Sequence, residues 1–308
     1  MMGVPRNLGV RLCWLGLIIS LMPAAVWAEE VGRFTQVEGQ VELFKPGKPE
    51  AIPIAVQTGA EEKDRIKTEA LSRAQIEFLD ASTLTVAPLS DITIESYLFD
   101  KKLGQRQGLS KIAKGLVHLV LRPLEHLEHK EYLIKTSNAI MGIRGTELYI
   151  LIGENFTDVY VKTGRVTMAS SPVGQAPQNN TKKALQENES ASVRRLRREV
   201  DVRGANAGAV GKQVMVGAMQ AGRAYADRPA YISCNLTGEH FRILQGLMHL
   251  GLPTKLQGRT SSCEMLEQLK DLVAPLEYSP IDPALPSPPV VPFPGGGGKG
   301  GGVASPSS

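Results

Sequence analysis

Between Val31 and about Val193 the apolar positions fall mostly at intervals of two. Ala74, Ile76 and Phe78 alternate with Gln75 and Glu77, and the alternation returns in Thr83-Leu84-Thr85-Val86 and Asp91-Ile92-Thr93-Ile94-Glu95. Successive side chains of a strand point to opposite faces, so this period marks half-buried strands. Further strands are predicted at residues 116–121, 131–136, 147–152, 156–162 and 165–169. Gly39, Gly47, Gly59, Asp80, Gly115, Gly153-Glu154-Asn155 and Thr163-Gly164 punctuate the pattern as turn residues do. Residues 156–169 read as a hairpin that turns at Thr163-Gly164. Many short strands with no helix between them predict an all-β unit: a sandwich, barrel or solenoid.

The pattern changes after Val193. Arg194, Arg195, Arg197 and Arg198 crowd into one short stretch, and residues 206–224 are rich in Ala, Gly, Val and Met. Two later segments have helical spacing. Residues 239–250 place Ile243, Leu244, Leu247 and Leu250 on one face, and residues 263–273 do the same with Leu266, Leu269 and Val273. Ser261-x-x-Glu264 has the form of a capping box before the second of these. A small α-helical appendage is therefore expected to follow the β unit.

The ends of the chain are of different character. Arg6 and Arg11 precede an apolar run from Leu12 to Met22, then come Pro23 and Val26-Trp27-Ala28. This is the layout of a secretory signal peptide cleaved after Ala28. The run, about 11 residues, is short of the roughly 20 that span a bilayer. Residues 279–308 hold 8 Pro, 7 Gly and 5 Ser, which predicts a flexible tail. The expected organisation is a signal peptide at 1–28, a β domain at 29–193, a mainly helical region at 194–278 and a tail at 279–308. The protein is then periplasmic, with no transmembrane segment after signal cleavage.

Composition removes some classes of function. Of 308 residues, 42% are hydrophobic and 21% charged, which is globular rather than disordered or fibrous. Lys+Arg number 35 against 31 Asp+Glu, a net charge of +4. Cleavage removes Arg6 and Arg11 and no acid, leaving +2, too little basic excess to expect a nucleic-acid partner. It also removes Cys13, so Cys234 and Cys263 remain. In an exported chain such a pair is most simply a disulfide, the other reading being two buried thiols.

An ordered set of short motifs is more specific. Asp64-Arg65-Ile66-Lys67-Thr68 is followed by Ser72-Arg73-Ala74-Gln75-Ile76-Glu77-Phe78, then Asp80-Ala81-Ser82-Thr83-Leu84-Thr85-Val86 and Ser90-Asp91-Ile92-Thr93-Ile94. Gly115-Leu116-Val117 and Thr136-Ser137-Asn138-Ala139-Ile140-Met141-Gly142-Ile143-Arg144-Gly145-Thr146-Glu147-Leu148 complete it. This order and spacing resemble the FecR domain family, best over residues 63–148 and reaching toward Val31 and Ala169. The resemblance implies a solenoid-like or sandwich-like all-β periplasmic module. In the namesake proteins such a module relays the state of an outer-membrane iron-chelate transporter to a cytoplasmic sigma factor. Here a cleavable signal stands where those proteins have a sigma-binding region and a membrane span. What transfers is the fold and a role in envelope protein interaction or signalling.

The motif residues Asp80, Ser82, Gly142, Arg144, Gly145 and Thr146 are the candidate site. Asp80 and Ser82 suit capping of turn amides. Ala81 stands where the family loop carries glycine, which bears on whether the turn can be left-handed. Gly142 and Gly145 bracket Arg144, whose guanidinium either braces nearby carbonyls or a carboxylate, or binds an anion or partner. Arg194, Arg195, Arg197 and Arg198 read as a solvated face or as a contact for an anionic partner.

No catalytic residue, cofactor site or metal site is predicted. Asn206-Ala207-Gly208-Ala209-Val210-Gly211-Lys212-Gln213 lacks the first Gly and final Ser/Thr of a phosphate loop. Glu125-His126-Leu127-Glu128-His129 lacks the spacing that puts two histidine ligands on one helical face, and with His118 it reads as charged surface. The expected function is a non-catalytic envelope module with a protein partner. A cell-wall glycan (peptidoglycan) or small-ligand binder is the alternative, and an exported hydrolase a lesser one.

Overall fold

The computed structural model describes residues 29–124, 129–171, 213–253 and 256–277. The predicted signal peptide, His126, the cluster Arg194, Arg195, Arg197 and Arg198, the glycine-rich run up to Lys212 and the predicted tail lie outside the described residues.

The chain forms β1 (Glu30–Glu38), β2 (Val41–Phe44), β3 (Ala51–Pro53), β4 (Gly59–Glu61), β5 (Arg65–Thr68) and β6 (Arg73–Phe78). Then come β7 (Thr83–Val86), β8 (Asp91–Asp100), β9 (Gln105–Val120), β10 (His129–Lys135), β11 (Ala139–Ile143) and β12 (Glu147–Ile152). Last are β13 (Phe156–Thr163), β14 (Arg165–Ser170), β15 (Val214–Gly217), β16 (Gln220–Tyr225), β17 (Tyr231–Asn235), α1 (Gly238–Leu250) and α2 (Ser262–Glu277). The strands make two layers. One runs β4-β1-β6-β7-β9-β12-β13-β16-β17. The other runs β3-β2-β5-β8-β9-β10-β11-β14-β15. Pairing is antiparallel except between β9 and β10. Both orders follow the sequence closely, so the fold is a sandwich wound progressively in the manner of a solenoid.

The long strand β9 belongs to both layers. Its first part pairs with β8 and β10, and the part from Gly115 onward pairs with β12 and, from Val117, with β7. Gly115 has φ +103, and a Cβ there would lie 2.0 Å from the Ser90 hydroxyl. Only glycine allows the bend at that point.

The alternating apolar residues meet between the layers. Phe34, Ile76, Leu84, Ile92, Met141 and Ile150 belong to this buried core. A second core lies on the other face of the first layer, where Tyr149, Leu151, Phe156 and Tyr160 pack under Leu244, Leu247 and Leu266 of the helices. Sheet covered on both faces needs apolar residues at consecutive positions, and β12 reads Leu148-Tyr149-Ile150-Leu151-Ile152. The predicted mainly-β fold with a small helical appendage is the fold observed.

The appendage is fixed at several points. Cys234 in β17 and Cys263 in α2 form a disulfide. His240 Nδ1 accepts the Thr237 N–H at 3.0 Å at the start of α1. The Ser261 hydroxyl accepts the Glu264 N–H at 3.2 Å at the start of α2. Beneath α2, Arg223 on β16 faces Asp158 on β13, with Nε–Oδ1 and Nη2–Oδ2 both at 2.6 Å and both side chains fully buried. Burial alone would weaken the hold of the Arg223 guanidinium on its proton, but the hydrogen bonds and charge of Asp158 raise its pKa above the ordinary value. Arg223 also donates to the Thr260 carbonyl and stacks 4.3 Å from the Phe156 ring centre, so one side chain ties loop, helix and sheet together.

Three expectations are corrected. Residues 156–169 are not a hairpin: β13 pairs with β12 and β16, whereas β14 pairs with β11 and β15. Thr163-Gly164 carries the chain from one layer to the other, and apolar alternation does not distinguish that turn from a hairpin turn. Residues 214–235, assigned by composition to the mainly helical region, form β15, β16 and β17 and extend both layers. Their small residues serve close packing, since a Cβ on Gly222 would lie 2.5 Å from Val216. Finally, β9 begins at Gln105 rather than near Leu116, because polar Gln105, Arg106, Gln107 and Ser110 hide its first half from an apolar-period reading.

Candidate functional site

The family-motif residues converge on one end of the sandwich, around the segment that leaves β9. In the β6–β7 turn, Ala81 has φ +59 and its N–H bonds the Phe78 carbonyl at 2.9 Å. The left-handed turn thus forms with alanine in place of glycine. Asp80 Oδ1 accepts the Ser82 N–H at 3.0 Å and Oδ2 the Ser82 hydroxyl at 2.8 Å. The Ser82 oxygen in turn accepts the Arg122 N–H at 3.0 Å, just past the end of β9.

Arg106 closes the arrangement from within. Its Nη1 donates to Asp80 Oδ2 and to the Arg122 carbonyl, each at 2.8 Å. Neither Arg106 nor Asp80 reaches solvent, and Arg106 Nε and Nη2 have no hydrogen-bond partner among the described residues. Tyr97 stacks on Phe78 at 4.9 Å and takes the Asp80 N–H on its hydroxyl at 3.3 Å. Burial, reinforced by the Asp80 charge, pushes its phenol far above the ordinary range.

The second motif reaches the same segment from the other side. The Thr146 carbonyl accepts the Leu121 N–H at 2.9 Å. The Thr146 hydroxyl donates to the carbonyls of Arg144 at 3.1 Å and Arg165 at 3.0 Å. Gly145, with φ +56, lies against Pro123, and a Cβ there would sit 3.2 Å from that ring. Val120 of β9 pairs with Thr83 on one side and Glu147 on the other. Motifs more than sixty positions apart in sequence thereby grip one short piece of backbone.

Asp80, Ser82 and Thr146 are buried and spent on backbone and side-chain bonds. Gly142 lies further along β11, opposite Leu133 and Thr167. Arg144 is exposed, and its side chain makes no hydrogen bond or ion pair among the described residues. Cys234 and Cys263 lie apart from this end, in the disulfide under the helices.

Sequence reasoning did not find Arg106, nor the Asp158–Arg223 pair. A signal existed for Arg223, a lone charge in Ala221-Gly222-Arg223-Ala224-Tyr225, where both faces of the strand are buried. Arg106 sits in a polar run and gave none. His118, read as charged surface, is largely buried against Tyr149 at 4.2 Å, with Nε2 3.2 Å from Glu147. Burial lowers its pKa below the ordinary value against the opposing pull of Glu147. The Tyr149 phenol is pushed up to about 12 by burial and by the Glu147 charge.

Residues 64–167 match the family model described as FecR protein. The match spans the Asp80–Ser82 turn, β9 and the Arg144–Thr146 turn, so this part of the chain is similar to FecR domains. Two crystal structures of a "putative anti-sigma factor" from Parabacteroides distasonis, at 2.50 and 1.65 Å, are similar at 10% identity and a TM-score of 0.37. Each alignment covers 59% of this chain and 64% of that one, so the chain spans under two thirds of the length of those structures. No curated protein matches the chain.

Proposed function

We propose that this protein is a non-catalytic periplasmic FecR-domain module, exported with cleavage after Ala28, that binds another envelope protein and takes part in signalling. The observation that carries the reading is the division of labour among the matched motif residues. Asp80, Ser82 and Thr146 turn inward and hold the end of the sandwich, while Arg144 is presented to solvent on that rigid frame. Conserving geometry in the interior while offering a charged side chain outside suits recognition, because a pre-organised surface loses little entropy on binding. The buried charged groups also favour this over catalysis: Asp80 is taken by Arg106 and Asp158 by Arg223.

Crosslinking in cells, from photoreactive residues at exposed Thr163 and Ser137, tests the proposal. Mass spectrometry is expected to recover a specific envelope protein, and N-terminal sequencing of the exported chain to begin at Glu29. Failure to recover any specific partner from either position overturns the interaction reading. Sedimentation of the protein with purified peptidoglycan, in place of a protein adduct, would favour a wall-binding role instead.

A further inference from the structure

The end that holds the motifs carries a row of turns. The β6–β7 turn, the exit of β9, the β11–β12 turn, the β13–β14 turn and the β15–β16 turn follow one another across adjacent strands β7, β9, β12, β13 and β16. Each of these turns presents an exposed residue: Leu79, Arg122, Arg144, Arg165 and Met219 in that order. Leu79 is 53% and Met219 41% exposed, so both apolar side chains are available at the two ends of the row. Between them stand three arginines.

Among the described residues, none neutralises these arginines. Arg144 and Arg165 make no side-chain hydrogen bond or ion pair among the described residues. Among the described residues Arg122 uses only Nε, donated to the Ala81 carbonyl at 3.0 Å, which fixes its direction without meeting its charge. Glu147, at the start of β12, is already engaged by Lys162 at 2.9 Å and by His118. The frame beneath is stiff, since Gly145, Thr146, Gly164 and Pro123 pack on one another.

We propose that this row binds an extended acidic segment of a protein partner, with its carboxylates on Arg144, Arg165 and Arg122 and its apolar side chains on Leu79 and Met219. The inference rests on the interaction reading above and adds the surface and the chemistry of the partner. Adjacent strands are about 4.8 Å apart, so four steps span about 19 Å, the length of roughly six extended residues. Guanidinium groups pair carboxylates bidentately, and a row of them selects a row of acids. The apolar ends favour a polypeptide over a bare polyanion, which has nothing to place on Leu79 or Met219.

The test uses the full exported chain and a fluorescein-labelled peptide, Leu-Glu-Asp-Glu-Glu-Leu, followed by fluorescence anisotropy at low ionic strength. Binding is expected, and the Gln/Asn version of the peptide should not bind. Arg144→Glu should weaken the acidic peptide about tenfold, the worth of one charge-assisted pair, and Arg144→Glu with Arg165→Glu should abolish it. Lys111→Glu with Lys114→Glu, exposed near the Gly115 bend at the opposite end of the sandwich, should leave it unchanged. If the reversals disturb the thermal midpoint, Arg144→Gln with Arg165→Gln, which add no charge, carry the same expectation. Equal binding by the reversal variant, or by the neutral peptide, overturns the proposal. So does Arg144-dependent sedimentation with phosphatidylethanolamine–phosphatidylglycerol vesicles in the absence of peptide binding, which would make the row a membrane contact. A partner crosslinked through another face would overturn this surface alone and leave the interaction reading standing.

Discussion

Asp80→Ala isolates the ion pair that closes the motif end of the sandwich. Asp80 and Arg106 are both fully excluded from solvent, and the bond between them is 2.8 Å long. Removing one member of a buried pair destabilises by about 3–5 kcal/mol, because the other charge stays in a low dielectric without its partner. Arg106 is poorly placed to tolerate this. Its Nε and Nη2 already lack partners among the described residues, and only the Arg122 carbonyl would remain. Ser82 would also lose the acceptor of its hydroxyl and of its N–H, at about 1 kcal/mol for each bond. A loss of about 4 kcal/mol or more is expected, measured as the shift in urea unfolding followed by far-UV circular dichroism. Asp80→Ala with Arg106→Met removes both charges together and should recover much of that loss, and with the two single variants it closes a double-mutant cycle. A loss below about 1 kcal/mol for Asp80→Ala, or singles and double that simply add, would refute the pairing as the force that holds this end.

Three further outcomes test other parts of the fold. Gly246 in α1 lies so close to α2 that a Cβ would sit 1.6 Å from Val273 Cγ1. Gly246→Ala should therefore destabilise by about 1–2 kcal/mol despite the better helix propensity of alanine, and Val273→Ala should relieve it; a more stable Gly246→Ala protein contradicts the close approach. Ala81 holds φ +59, a region disfavoured for L-residues, so Ala81→Gly should raise stability by up to about 1 kcal/mol in the same unfolding assay. His118 has a folded-state pKa below its unfolded value, so its contribution to stability is full above about pH 6.5 and is lost as pH falls through the lower folded value. His118→Gln should flatten the stability–pH curve over that window, and an unchanged curve would place the titration elsewhere.

Much of the β architecture is legible in the chain because a half-buried strand writes its environment at a period of two. β6, β7 and β12 are read almost to the residue. The same logic fails where both faces of a strand are buried or where one face is polar. β16 carries Ala221, Gly222 and Ala224 at buried positions because two packed surfaces meet across it. The first half of β9 is polar yet buried, since its side chains answer to Asp80 and to neighbouring strands rather than to a simple apolar face. The helices were readable for the opposite reason: each has one apolar stripe, and Ser261 announces the second by accepting the Glu264 N–H.

By itself the sequence determined the local periods, the turn chemistry and the ordered motifs that resemble those of FecR domains. It also determined which cysteines could pair. Tertiary structure alone decided which turns stay within a layer and which cross between layers, because both kinds use the same glycine and Asx residues. It also decided which charges are buried. Arg106 stands in a polar run and Arg144 beside apolar residues, yet the first is locked to Asp80 in the interior and the second projects from the row of turns. Solvation depends on what the rest of the chain packs over a side chain, and that packing joins residues far apart along it.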